Sequence, residues 1–103
     1  MFTVLYRWRL NPELTDQFVE SWSAITEHYL EHCGSNGSRL HKGSDGVYYS
    51  YAQWPDSLTR EKAMLDVRLE IARLKMTEAI IESFPEVILE TIADHLKSPT
   101  SAK

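Results

Sequence analysis

The chain has 103 residues with a formal net charge of -4, and 25% of them are charged against 43% hydrophobic. That is the sequence of one globular unit, too acidic for the general affinity to phosphate backbones that clustered Lys and Arg provide, so nucleic acid is excluded as a partner. No apolar run approaches the roughly 20 residues that cross a bilayer, which excludes a membrane-spanning helix.

Met1 to Leu10 alternates, with Phe2, Val4, Tyr6, Trp8 and Leu10 on one face and Thr3, Leu5, Arg7 and Arg9 on the other, which predicts a strand. It also argues against a signal peptide, whose core would be continuously apolar. Asn11-Pro12-Glu13 brings a capping side chain, a preset φ and an acid near the positive end of a helix. A first helix is predicted from about Pro12 to about Cys33. Leu14, Phe18, Trp22, Ile25 and Tyr29 recur at helical spacing and form its inner stripe. Gly34 then supplies the residue type that accepts a left-handed closing conformation. Cys33, the single cysteine, cannot close an internal disulfide. It reads as a small apolar residue beside a helix end, and a reducing, cytoplasmic setting is expected.

Ser38 to Lys42 and Val47 to Trp54 are predicted to pair as a hairpin across Gly43-Ser44-Asp45-Gly46. On the second of these strands Tyr49 and Tyr51 point one way and Tyr48 and Trp54 the other, so both faces carry rings and burial on both sides is expected. Pro55-Asp56-Ser57 opens a second helical region. Leu58, Leu65, Leu69, Ala72, Met76 and Ile80 form one of its stripes, and Val67, Ile71, Leu74 and Ile81 lie nearly opposite. Two apolar stripes imply either a phase break, placed near Asp66, or a helix that also meets a neighbour. Phe84-Pro85 is expected to stop this helix, and Glu86 to about Leu96 to form the fourth strand. One domain is thus expected over residues 1–97, with a flexible tail over 98–103.

The order strand, helix, strand, strand, helix, strand in about a hundred residues predicts an α+β, ferredoxin-like βαββαβ sandwich with a four-stranded antiparallel sheet. Two helices cover one face of that sheet. The rings on the other would form an apolar patch of a kind that monomers rarely expose. A homodimer packed sheet against sheet, a dimeric α/β barrel, is therefore expected.

The segments Val4-Leu5-Tyr6-Arg7-Trp8-Arg9-Leu10, Phe18-Val19-Glu20-Ser21-Trp22, Gly34-Ser35-Asn36-Gly37-Ser38-Arg39-Leu40-His41 and Tyr49-Ser50-Tyr51-Ala52-Gln53-Trp54-Pro55 together resemble the antibiotic biosynthesis monooxygenase-like domains of the dimeric α/β-barrel superfamily. The resemblance covers nearly the whole chain. It implies a pocket between sheet and helices, used in that family by cofactor-independent oxygenases of phenolic polycyclic substrates and by relatives that degrade haem. It also implies an Asn on strand one, a Trp on the third strand and, in the haem-degrading members, a His on the second helix as iron ligand. Trp54 stands where that Trp would be. Strand one contains no Asn, and Ser57 to Phe84 contains no His.

Trp54, His41, Tyr48, Trp22 and Tyr6 are the candidate pocket residues, each with a plainer alternative. Trp54 and the Tyr6, Trp22 and Tyr48 rings read first as core filling, with one or two of them left to line a pocket. His41 is expected to share a face with Arg39 and Tyr48, where it could orient a phenolic ligand, or to be a solvated residue on an edge strand. Arg7 and Arg9 are read as ion-pairing with acids such as Glu90 on a neighbouring strand. His28-Tyr29-Leu30-Glu31-His32 matches the H-x-x-E-H pattern of one zinc peptidase group. It is set aside because no third ligand is apparent downstream, and the helix dipole alone accounts for His32. No metal and no cofactor are expected. Two functions follow: a cofactor-independent monooxygenase of a small aromatic or quinol substrate, or a non-catalytic barrel that binds a small hydrophobic ligand or serves a stress-related role.

Overall fold

A computed structural model describes residues 1–97. The alternating N-terminal segment becomes β1 (Phe2–Leu10), the central strand of the sheet. Its even-numbered residues meet the helices: Val4, Trp8 and Leu10 are buried, and Trp8 stands edge-on to Phe18 with ring centroids 5.0 Å apart. The Asn11 side chain accepts from the Glu13 amide at 3.0 Å, and a 3-10 turn over Pro12–Leu14 leads into α1 (Thr15–His32). The expected inner stripe is the observed one, with Phe18 and Ile25 buried and Leu14, Trp22 and Tyr29 partly so. Cys33 caps this helix, and Gly34, at φ +75°, turns the chain away.

β2 (Gly37–Lys42) and β3 (Tyr48–Trp54) form the expected hairpin, closed by the Gly43 amide on the Val47 carbonyl at 2.7 Å. α2 (Ser57–Met64) is capped by Asp56, and Asp66 caps a 3-10 turn over Val67–Leu69 that leads into α3 (Glu70–Glu78). The phase break therefore falls where the two stripes required it. It shifts the packing from the expected pattern: Ala63 and Leu69 are buried, whereas Leu58 and Leu65 point outward. The second stripe, Val67, Ile71, Leu74 and Ile81, is exposed on the single chain.

The sheet has the order β2-β3-β1-β4, antiparallel throughout, with β4 (Ile80–Ser83) and β5 (Val87–Glu90) sharing the far edge of β1. This is the ferredoxin-like α+β arrangement, with the fourth strand position filled by two short segments instead of one. The helix ends at Glu78, well before Phe84, because the β-branched pair Ile80-Ile81 joins the sheet as soon as the chain reaches Leu10. Pro85, which lacks a donor, interrupts the strand. β5 is shorter than the expected Glu86 to Leu96 because Glu90 already pairs with Phe2, so β1 offers nothing for later residues to pair with. The tail expected over 98–103 lies outside the described residues. Among these, no helix is long and apolar enough to cross a membrane.

Registers decide which strand face meets the helices, a choice the rings on both faces left open. The helix side carries Tyr6, Trp8, Ser50, Ala52 and Trp54. The opposite side carries Leu5, Arg7, Tyr49 and Tyr51, with Val87 and Leu89 beside them, and no helix covers it.

Candidate functional site

Sheet and helices do not close completely. Small residues at Ser50 and Ala52 on β3 lie between the rings of Tyr6, Trp8 and Trp54, and above them Trp22, Tyr29, Met64, Arg73 and Met76 form a roof. The result is a partly open cavity of about 270 Å³. Its walls are mainly aromatic and thioether, surfaces that suit a flat apolar ligand.

The few polar groups in it are mostly anchored. The Trp22 indole donates to Ser50 Oγ at 3.3 Å, and Thr26 and Ser38 pair their hydroxyls at 3.4 Å. Arg73 donates to the Asp66 carbonyl at 2.6 Å, the Ala63 carbonyl at 3.1 Å and the Tyr29 hydroxyl at 2.9 Å, so the α2–α3 break holds its guanidinium at the wall. Tyr6 accepts from Arg60 at 2.9 Å, and Arg60 is in turn paired with Glu86 at 2.8 Å. Burial pushes the Tyr6 phenol up from its ordinary value, with Arg60 pulling the other way. Trp54 is the exception. It is 1% exposed, packs against Tyr29 at 5.3 Å between ring centroids, and its indole N–H has no partner.

No protein-family model matches the chain, and no curated protein matches it by sequence. Solved structures match it in three dimensions. SnoaB, a cofactor-independent oxygenase from Streptomyces nogalater, superposes with a TM-score of 0.79 over 93% of this chain and 97% of that one, at 12% identity. A structure described as an antibiotic biosynthesis monooxygenase gives 0.76 over 90% and 100% at 13% identity. Rv0793 from Mycobacterium tuberculosis gives 0.76 over 92% and 98% at 11%. The chain shares the fold of these structures. At such identities the likeness concerns the path of the backbone, and chemistry has to be argued from the side chains present here.

Three of the expected pocket residues, Tyr6, Trp22 and Trp54, meet at this cavity. Tyr48 shares their side of the sheet but packs against the core around Trp8 and Phe18, outside the cavity. His41 does not join them. It pairs with Tyr49 and stacks on Tyr51, on the opposite side of the sheet from Tyr48, because a simple hairpin register alternates sides one residue at a time. Arg39 is on that side with it. Arg9 pairs with Glu82 at 3.2 Å rather than with Glu90, which lies at the other end of β1, and Arg7 and Arg9 both rest over the Phe84 ring.

Arg73 was not among the sequence candidates. The signal for it existed: it lies four residues after Leu69 and three before Met76, a cation set into an apolar stripe. Among the described residues no imidazole lines the cavity, so its lining does not fit a histidine-held haem. No carboxylate lines it either.

Proposed function

We propose that the cavity binds a small aromatic or quinol molecule and that the protein is a cofactor-independent monooxygenase acting on it. The observation that carries this reading is an aromatic-walled space of about 270 Å³ left unfilled between sheet and helices, with the Arg73 guanidinium at its wall. A barrel serving only as scaffold would fill that space with side chains. SnoaB, described as a cofactor-independent oxygenase, has the same fold over almost all of this chain.

In such a reaction the substrate supplies every electron. A ring carbon bearing two hydrogens becomes a carbonyl, one oxygen atom of O2 enters the product and the other leaves as water. The difficult step is loss of the first proton, which leaves an anion delocalised over a phenolate. Arg73 is the one permanent cation at the wall and stabilises that anion electrostatically in a water-poor setting. Trp54 and Trp22 hold the ring plane. With no carboxylate or imidazole in the lining among the described residues, proton removal falls to solvent. That scarcity of bases favours a second reading, in which the cavity binds such a molecule without turning it over.

The protein is further proposed to work as a homodimer in the cytoplasm, a second copy covering the helix-free side of the sheet. That side exposes Val87 and Leu89 beside Leu5, Tyr49 and Tyr51, and Thr3 Oγ1 and Arg7 Nε on it are buried without partners.

Oxygen uptake with a panel of anthrone-like and hydroquinone substrates tests the oxygenase, comparing the wild type with Trp54→Phe and Arg73→Met. Uptake that falls at least about tenfold in both variants supports it. Binding without uptake supports the second reading, and neither binding nor uptake removes both.

A further inference from the structure

At the far end of α1 the fold assembles a second group of side chains, distinct from the cavity. His28 lies in the last turns of the helix and Cys33 at its C-cap, and Asp66 comes from the break between α2 and α3. Their imidazole nitrogen, thiol sulfur and carboxylate oxygen all lie within 4.8 Å of one another. His28 Nε2 is 2.7 Å and Cys33 Sγ 3.6 Å from the same oxygen, Asp66 Oδ2. We infer that His28, Cys33 and Asp66 form a binding site for a zinc-type transition metal that staples α1 to the α2–α3 break.

Three lines of chemistry support the assignment. First, a tetrahedral zinc ion with N and O ligands at about 2.0–2.1 Å and S at about 2.3 Å needs its donors roughly 3.3–3.6 Å apart. The observed spacings bracket that range, and side-chain rotations alone close the difference. Second, a nitrogen, sulfur and oxygen set selects a borderline-soft ion over Mg2+ or Ca2+, which take oxygen ligands. Third, the partial negative charge at the C-terminus of α1 favours a cation there.

The fourth position has two candidates. His32 follows His28 by one turn with ring centroids 4.8 Å apart, and its side chain is half exposed, so a rotamer change brings it in; a water is the alternative. An open hollow lined by His32, Cys33, Lys62, Asp66 and Arg68 gives the ion a route from solvent. As the sulfur–metal bond forms, the Cys33 proton leaves to solvent.

Arg68 donates to both Asp66 oxygens at 3.0 and 2.7 Å and so competes with an ion for the carboxylate. Its side chain is 62% exposed, so it can swing away when an ion arrives. The inferred site departs from the expectation of no metal. Cys33 and Asp66, brought to His28 by the fold, are the further ligands that the spacing of the motif did not reveal.

The test is a titration of the full chain with Co2+ and Zn2+. One equivalent of Co2+ is expected to produce a thiolate-to-cobalt charge-transfer band and the strong visible bands of a four-coordinate ion. Zn2+ should displace the Co2+ and raise the melting temperature, and Mg2+ should do neither. Cys33→Ser should abolish the charge-transfer band and weaken Zn2+ binding by at least the 10- to 100-fold, roughly, that follows loss of an outer-shell partner. Arg68→Ala removes the competing cation but no donor and should bind Zn2+ as tightly as the wild type or more so. Three results would each overturn the inference: no stoichiometric binding at micromolar protein, a Co2+ spectrum without the thiolate band, or a Zn2+ affinity unchanged by Cys33→Ser. Because Cys33 sits at a helix end and Ser replaces it with little change of shape, the variant remains folded enough to be decisive; its far-ultraviolet circular dichroism checks that.

Discussion

Replacing Trp54 by Phe is expected to leave stability almost unchanged, although Trp54 is among the most deeply buried residues in the chain, at 1% exposure. Deleting the second ring removes roughly 40 Å³, which at about 24 cal/mol per Å³ of residual cavity costs about 1 kcal/mol. The lost apolar burial, on the order of 40 Å² at about 25 cal/mol per Å², costs about 1 kcal/mol more. Against these stands the indole N–H, buried without a partner, whose desolvation already costs the folded state about 1–3 kcal/mol and is relieved in the variant. The opposing contributions nearly cancel, and a change within about 1 kcal/mol is expected from urea unfolding monitored by far-ultraviolet circular dichroism. A loss above about 2.5 kcal/mol would refute the reasoning, since it would mean that the donor is satisfied in the folded protein.

Phe18 is fully buried and edge-on to Trp8, so Phe18→Ala should cost about 3–5 kcal/mol in chemical denaturation. Asp66 is held ionised well below the usual carboxylate range by Arg68 first and by His28 second. Because its folded pKa is the lower one, its contribution is complete above the unfolded value near pH 4 and is lost as pH falls further. Thermal melts at stepped pH should show Asp66→Asn flattening that acid loss; an identical acid limb in both proteins would contradict the role given to Asp66. Tyr51→Asp places a charge on the helix-free side of the sheet and should convert the proposed dimer to a monomer in sedimentation velocity. A wild-type monomer at micromolar concentration would remove the dimer itself.

The element order, the inner stripe of α1, the Gly34 cap and the break near Asp66 were legible in the chain because each follows from local rules: the two-residue period of a strand, the 3.6-residue period of a helix, and the φ that glycine alone takes readily. Trp22 was identifiable as a ring-bearing candidate for the same reason, since it falls on the inner stripe of α1, whereas Tyr6 and Trp54 were legible only as rings on one strand face, because both faces carry rings. Where α3 ends and where β5 stops were not legible, because both depend on what β1 has left to pair with, and that is a property of the register between distant segments. His41 illustrates the same point. Alternation places it on one side of its own strand, but only its pairing with Tyr49 shows that this side faces away from Tyr48 and the helices. The partnership of His28 and Cys33 with Asp66 could not be read from spacing at all, for 33 residues separate Cys33 from Asp66 and 38 separate His28 from it. Periodicity is written into neighbouring residues, whereas the cavity and the cluster at the end of α1 arise where chain segments far apart in sequence are packed together.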